Sequence, residues 1–456
     1  MFNILKSKYP FIFQKIGKDI TGDFFMLSLW SATSDIPLFD TLQGDTKTDV
    51  LIIGGGLAGV LCAFELKSRG VDCLLVEADK ICSGITKNTT AKITSQHGFV
   101  YDKITKKFGV ENAQKYLQAN ENAVKKYAKL CKNIECDFYE KDNIVYCVDN
   151  YKKVEKELIA LQNIGYKTQI EYKLPVPIGI AGAIRFKNQA QFNPLKFVSH
   201  IVKDLNIYEN TKVIEIRNNV AITNRGNIKA EAFIVATHFP FMNKHGAYFV
   251  KMYQHRSYVI AIDRNNNLDG MYVDEAKTGM SFRNAGDLLL IGGGDHRTGK
   301  QGGSYNELRR FTKTYYPENH EKYHWATQDC MTLDGVAYIG EYSKNTPNIY
   351  VATGFNKWGM TTSMVASEIL GDIISGKKND YADLFSPQRS MLTPQLPLNI
   401  GESVLGLVAP STKRCPHLGC ALKWNSAERT WDCPCHGSRF SEKGNLIDNP
   451  ATDDLK

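Results

Sequence analysis

Hydrophobic and polar positions change period several times along this chain. From Thr48 the run TDVLIIGGG is continuously apolar rather than alternating, which predicts a strand covered on both faces. LAGVLCAFELKSRG predicts a helix closed by Gly70, and VDCLLVEAD the next strand, completing a β-α-β unit. Over 105–165 apolar residues recur at i, i+3 and i+4 with lysine and glutamate between, so two helices bracket a strand at DNIVYCVD. Strand patterns dominate from about 207 to 300 (TKVIEIRNN, VAITNRG, EAFIVATHF, RSYVIAID, MSFRNAGDLLLIGGG) and predict the mixed sheet of a second domain. Helix resumes at MTTSMVASEILGDIISG. The three prolines of LFSPQRSMLTPQLPLN predict a linker over 376–400, and residues 1–47 an extended arm.

A length of 456 residues, at ~150 per domain, allows two to four domains. The net charge of +8 is spread along the chain, which excludes a nucleic-acid partner and suits a solvated surface or a docking face for an acidic electron-transfer partner. No uncharged apolar window is long enough for a membrane span, and the opening residues lack a signal-peptide core, so a cytoplasmic protein is expected. Seven scattered cysteines fit buried thiols. Cys415, Cys420, Cys433 and Cys435 instead crowd together with His417 and His436.

Gly54, Gly56 and Gly59 form G-x-G-x-x-G between the first strand and its helix, and Glu77 follows 23 residues after Gly54. The glycines permit a tight turn, backbone approach to a pyrophosphate and close helix–strand packing, while an acidic residue at Glu77 would accept ribose hydroxyls. The motif alone serves FAD or NAD. No second copy follows a strand, since IGGGDHRTG (291–299) fits a tight strand-end loop better, so electrons should come from a small organic substrate rather than a nicotinamide.

SLWSAT, TDVLIIGGGLAGVLCAFEL, SGITKNTTAKITSQHG and TLDGVAYIGEYSKNTPNIYVATGFNKWGMTTSMVASEIL resemble the D-amino-acid oxidase/glycine oxidase superfamily over about 28–375. The resemblance implies an FAD-dependent oxidoreductase domain over 48–375. Its FAD-binding parts fall near 48–100, 185–245 and 330–375, its substrate parts near 101–184 and 246–329. Gly340, Gly354, Gly359, Met360 and Thr361 would belong to the segment that closes over the flavin, and Ala236 to a strand-end turn at which His238 replaces the usual glycine. His97, Arg256, Tyr258 and Trp358 are the candidate catalytic residues. Tyr253 and His255 lie beside Arg256 and Tyr258, with alternation sending Arg256 and Tyr258 to one face and His255 to the other, and Lys357 precedes Trp358.

RCPHLGC and CPCHGS give C-x-H, 15 intervening residues and C-x-x-H. A Cys2His2 zinc site is the alternative, although zinc fingers group two Cys and then two His. The pattern resembles the Rieske family. That resemblance implies a 2Fe-2S cluster held by Cys415 and Cys433 on one iron and His417 and His436 on the other, with a Cys420–Cys435 disulfide between the ligand loops. It also implies shielding by Leu418, a hydrogen bond from Ser438 to the cluster and a proline loop at NPA (449–451). Phe440 stands where high-potential members carry a tyrosine, which predicts a potential in the lower part of the ~ −150 to +300 mV range. Residues 401–456 make a shortened domain that needs staples, with ESVLGLV where base strands would be expected.

The whole chain resembles bacterial FAD-dependent oxidoreductases with a C-terminal Rieske domain. The expected fold class is α/β: a Rossmann-like FAD-binding domain, a discontinuous mixed-sheet substrate domain and a small all-β Rieske-type domain. The expected activity is oxidation of a small amine or amino acid, with electrons passing from flavin to cluster and then to an external acceptor, a protein. Two alternatives stay open: a flavin oxidase that reduces oxygen beside a structural or degenerate Rieske module, and a redox sensor or electron carrier without turnover.

Overall fold

The computed structural model describes residues 27–242, 245–264, 268–276 and 279–456. The extended arm expected over 1–47 lies largely outside them. Its described part forms a short helix, Leu29–Thr33, tied down by Trp30 Nε1 donating to the Thr89 carbonyl at 2.7 Å.

Three sheets organise the chain. The first has eight strands, with Thr46–Ile53 paired in parallel to both Cys73–Val76 and Asn227–Val235, and Ile349–Thr353 parallel to the latter. The apolar run predicted as a doubly covered strand is buried from Val50 to Ile53. Helices Leu57–Ser68 and Gly359–Ile374 present buried faces to this sheet's core.

The second sheet has nine strands. At its heart the long antiparallel strand Met252–Asp263 pairs with Leu288–Arg297 on one side and Glu321–Thr332 on the other. Tyr139–Cys147 lies between helices Val110–Cys131 and Tyr151–Asn163, the bracket that periodicity indicates. Lys92–Ile93 and Gly182–Gln191 also belong to this sheet. The first-sheet part therefore ends nearer 91 than 100 and resumes after 191 rather than at 185, because the hydrophobic runs of these strands do not encode which sheet they join.

Two expectations are corrected here. IGGGDHRTG is no strand-end loop: the strand runs on through its glycines to Arg297, with a β-bulge where Arg256 pairs His296 and Tyr258 pairs Gly293. Gly294 takes φ +65° at the bulge, a conformation glycine adopts without steric cost. In place of an irregular linker ending at 400, residues 395–408 form one helix, Gln395–Val408, so ESVLGLV is helical rather than strand. Pro394 is its N-cap and Pro397 falls in its first turn, where a missing N–H costs no helical hydrogen bond.

The third sheet is small and antiparallel: Lys423–Asn425, Thr430–Asp432, Arg439–Ser441 and Leu446–Asp448. The fold is thus a mixed-sheet α/β body with a separate all-β C-terminal module. That module docks on the second sheet through buried polar contacts. Arg256 Nε donates to Glu428 Oε2 at 3.0 Å and its Nη2 pairs with Glu428 Oε1, while Arg439 pairs with Glu428 at 3.0 Å, Asp432 at 3.1 Å and Asp448 at 2.9 Å. Gln328 Nε2 donates to the Gly437 carbonyl at 2.8 Å, and Arg297 reaches the carbonyls of Pro434 at 3.2 Å and Cys435 at 3.3 Å.

Arg256 and Glu428 are almost wholly buried, so removing one charge strands the other. Glu428→Gln should lower stability by about 3–5 kcal/mol and raise proteolytic release of the C-terminal module. Calorimetry showing no loss would mean that this pair does not anchor the module.

Candidate functional site

A cavity of about 1040 Å³ lies between the first two sheets and is closed on one side by residues 446–452 of the C-terminal module. At one wall stands the glycine turn. A Cβ at Gly59 would fall 1.9 Å from the Gly54 carbonyl oxygen, and one at Gly54 would fall 2.6 Å from that of Ala236, so helix and strand approach as closely as only glycine allows. Gly56 caps the helix at its N-terminus and lines the cavity. Glu77 Oε2 accepts from Gly55 N at 2.7 Å and Oε1 from Asp79 N at 3.0 Å. Burial raises its pKa, and each oxygen keeps a further lone pair for a ligand hydroxyl.

Ala236, Gly354, Gly359, Met360 and Trp358 line the cavity. Gly340 does not: it packs against Pro387 on an outer strand. The lining turn is instead Leu333–Gly335, held by Thr332 N donating to Asn356 Oδ1 at 2.8 Å and by the Asp334–Arg389 pair at 2.8 Å. The Asp-Gly dipeptide of TLDG was the available signal for it. Thr361 lies behind the wall, donating to the Thr94 carbonyl at 3.0 Å and meeting His97 Nε2 at 2.9 Å.

His97 borders the cavity, yet both ring nitrogens are engaged. Nε2 faces the Thr94 carbonyl at 2.8 Å, which makes it the donor, so Nδ1 accepts from Tyr116 Oη at 2.6 Å. Burial pushes its pKa down to about 3, and its ring stacks on Trp358 at 5.0 Å between centroids. His97 is therefore a neutral positioning residue that fixes Trp358.

Alternation along Met252–Asp263 holds, but Arg256, a candidate catalytic residue, lies on the face turned from the cavity. Arg256 points away from the cavity into its ion pair with Glu428. Tyr258 Oη meets His296 Nε2 at 3.0 Å and Asn425 Nδ2 at 3.4 Å, on the same side as the C-terminal module. The cavity face carries Tyr253, His255 and Ser257, and Tyr258 borders the cavity as well while its hydroxyl turns to the module. Opposite them stand Thr327 and Asp329, and the bulge turns Asp295 inward, where it pairs with Lys357 Nζ. Burial pushes Asp329 up to about 6 despite the nearby Lys357. Sequence reasoning missed both aspartates, because one acid in a strand pattern carries no sign of its neighbours.

On the other face of the same strand lies the cysteine-histidine group. Cys415 and Cys433 are buried and share a hydrogen bond, which chiefly lowers the Cys415 thiol to about 7. The rings of His417 and His436 stand 5.0 Å apart, and burial lowers their pKa values to about 4 and about 3, so both are neutral. Both ring nitrogens of His436 are buried and face no hydrogen-bonding side chain among the described residues, with the Phe249 backbone nearby. Two thiols and two neutral imidazoles fit a histidine-ligated 2Fe-2S cluster. The sulfurs of Cys420, Cys433 and Cys435 also lie within 4.8 Å of one another, but Cys420 and Cys435 are joined as a disulfide and offer no thiolate. Ser438 Oγ accepts from Ala451 N at 2.9 Å and contacts the Cys415 thiol, and Phe440 is fully buried among the cysteines. Leu418 is 42% exposed.

Cavity and group are bridged. His238 keeps a left-handed φ of +65°, and its Nε2 meets Gln254 Oε1 at 2.9 Å. Gln254 Nε2 donates to the His436 carbonyl at 3.0 Å, and Asn449 Nδ2 donates to the carbonyls of Thr237 at 2.6 Å and Phe239 at 2.7 Å. The Phe239 ring lies 6.4 Å from His417 and 6.5 Å from His436.

The sequence model of the FAD dependent oxidoreductase family matches residues 49–373, and that of the Rieske [2Fe-2S] domain matches 405–456. The chain is 34% identical to the Bacillus subtilis (strain 168) Rieske 2Fe-2S iron-sulfur protein YhfW, over 94% of this chain and 96% of that one. A 37-residue stretch is 51% identical to the cytochrome b6-f complex iron-sulfur subunit of Nostoc punctiforme, covering 8% of this chain and 21% of the subunit. Glycine oxidase from Geobacillus kaustophilus superposes with a TM-score of 0.63 at 20% identity, over 75% of this chain and 99% of that structure. L-proline dehydrogenase from P. horikoshii superposes with 0.64 at 19% identity, over 76% and 98%. These two likenesses show the fold.

Gly59→Ala should abolish retention of the nucleotide, because the added methyl cannot fit against the Gly54 carbonyl. Purified variant protein that keeps its yellow colour and a stoichiometric flavin content would contradict this role for the turn.

Proposed function

Because the chain belongs to the FAD dependent oxidoreductase family and ends in a Rieske [2Fe-2S] domain, we propose that it oxidises a small amine or amino acid and passes the electrons to an external protein acceptor. FAD and a Rieske 2Fe-2S cluster are its cofactors, the first supplying two-electron oxidation by hydride uptake and the second one-electron relay.

The chain's own residues divide the labour. The Gly54–Gly59 turn and the helix N-terminus behind it hold the diphosphate, and Glu77 the ribose. Ala236, Gly354, Gly359 and Met360 shape the wall of the flavin cavity, and His97 orients Trp358 there. Cys415, Cys433, His417 and His436 ligate the cluster, with Ser438 hydrogen-bonding beside Cys415.

The observation that carries this reading is the shared wall. His436 is 2% exposed and faces Phe239, whose own strand end borders the cavity, while Gln254 ties the His436 carbonyl to the cavity turn. A purely structural tail has no need of two neutral, inward-turned imidazoles. Seven cysteines outside the cluster group are free thiols, which supports a reducing, cytoplasmic setting.

EPR of the dithionite-reduced protein should give a rhombic signal with nitrogen coupling and two irons per chain. In His436→Ala the signal should vanish while anaerobic substrate still bleaches the flavin, and reduction of an artificial one-electron acceptor should fall. Acceptor reduction unchanged by that substitution would overturn the relay. The cluster's midpoint should lie in the lower part of the ~ −150 to +300 mV range, since Phe440 brings no hydroxyl. Redox titration ending near the top of that range would contradict this.

A further inference from the structure

The cavity face of the second sheet carries a charge pattern that selects among substrates. In register, His255 stands opposite Asp329 and Ser257 opposite Thr327, and all four line the cavity. The β-bulge at Gly294 turns Asp295 to the same wall, and Lys357 arrives from the loop that precedes helix Gly359–Ile374. Lys357 pairs with Asp295. Two carboxylates, Asp295 and Asp329, therefore share one ammonium, Lys357, with Ser257 hydrogen-bonding Asp329 and the His255 imidazole standing opposite it. A second observation points to a ligand: Thr327 is 8% exposed, lines the cavity, and its buried hydroxyl has no hydrogen-bond partner among the described residues.

The arginines and lysines that would hold a carboxylate are committed elsewhere. Arg256 is spent on Glu428, and Arg297 on the carbonyls of Pro434 and Cys435 and on Asn399 Oδ1 at 3.0 Å. Of the other lysines that line the cavity, Lys103 pairs with Glu275 at 3.3 Å, Lys107 with Asp334 at 3.2 Å, and Lys212 with the Thr452 carbonyl. Lys92 bonds Thr90 Oγ1 at 3.1 Å, and burial lowers it to about 7. A substrate carboxylate beside Asp295 and Asp329 would meet like charge in a poorly solvated wall. An ammonium there restores neutrality.

We propose that the substrate is an amine bound as a monocation without an α-carboxylate, anchored by Asp329 and hydrogen-bonded by Thr327. This rests on the oxidation reading above and narrows its substrate class. With its pKa raised to about 6, Asp329 is also placed to take the ammonium proton, freeing the nitrogen lone pair that oxidation at the adjacent carbon requires.

The test uses the FAD-loaded full chain and a pair of probes of the same shape and opposite charge, neither of which can be oxidised at the carbon next to the charged group: tert-butylammonium and pivalate. Binding is read from the change in the visible spectrum of the bound flavin. Tert-butylammonium should bind and pivalate should not. Asp329→Asn should weaken the cation about tenfold or more, whereas Lys357→Met, which leaves both carboxylates unopposed, should tighten it. A misfolded pocket cannot produce that opposite pair of shifts. Pivalate binding as tightly as tert-butylammonium, or cation affinity indifferent to Asp329→Asn, would overturn the proposal. The two readings fail separately. Cation binding through Asp329 with no amine able to bleach the flavin would sink the oxidation reading alone, and α-amino acids bleaching the flavin equally in Asp329→Asn would sink the cation site alone.

Discussion

The period of two along Met252–Asp263 is the constraint on which both sites depend. The strand is hydrogen-bonded on both edges, so its register cannot slide without breaking two ladders. Its odd-numbered side chains, Tyr253, His255 and Ser257, face the flavin cavity, and its even-numbered ones, Gln254, Arg256 and Tyr258, face the C-terminal module. A slip of one residue would carry Arg256 into the cavity and leave Glu428 to Arg439 alone. One backbone thus separates the cavity from the cysteine-histidine group.

The same wall explains how so short a C-terminal module holds together. Its apolar core is a handful of residues around the cysteines, Leu422, Phe440 and Ala451. The deficit is offset by the Arg256–Glu428–Arg439 network, by carbonyls accepting from Gln254, Gln328 and Arg297, and by the Cys420–Cys435 disulfide. Buried charges of this kind fix one docking geometry more than they add net stability. In this protein the geometry they fix is the distance from the flavin cavity to His436.

What was legible in the sequence was local. The glycine turn, Glu77 and the C-x-H and C-x-x-H loops are each encoded within a few residues, and the structure gathers them as their spacing suggests. Sites made by register across strands were not legible. Alternation separated Arg256 from His255 correctly, but nothing in one strand tells which of its faces meets the cavity. Asp295 entered through a bulge at a glycine run taken for a loop, and Asp329 through pairing with a strand more than seventy residues away in sequence. The helix Gln395–Val408 was hidden because Pro394 and Pro397 look like breakers until their positions in the first turn are known. His97 and Gly340 matched a resemblance in sequence, and only their contacts show that the first positions Trp358 and the second packs on Pro387.

The two-faced strand also bears on how such a protein can diversify. Residues 255 and 257 face the cavity, whereas 254 and 256 are bound to the cluster module by their hydrogen bonds and Tyr253 underlies the Arg297 guanidinium that holds the Pro434 and Cys435 carbonyls. Descendants of one ancestor can therefore alter the cavity face by changing alternate codons, inheriting the docking of the C-terminal module unchanged. Variation within the strand should be striped, permissive and restrictive positions following one another.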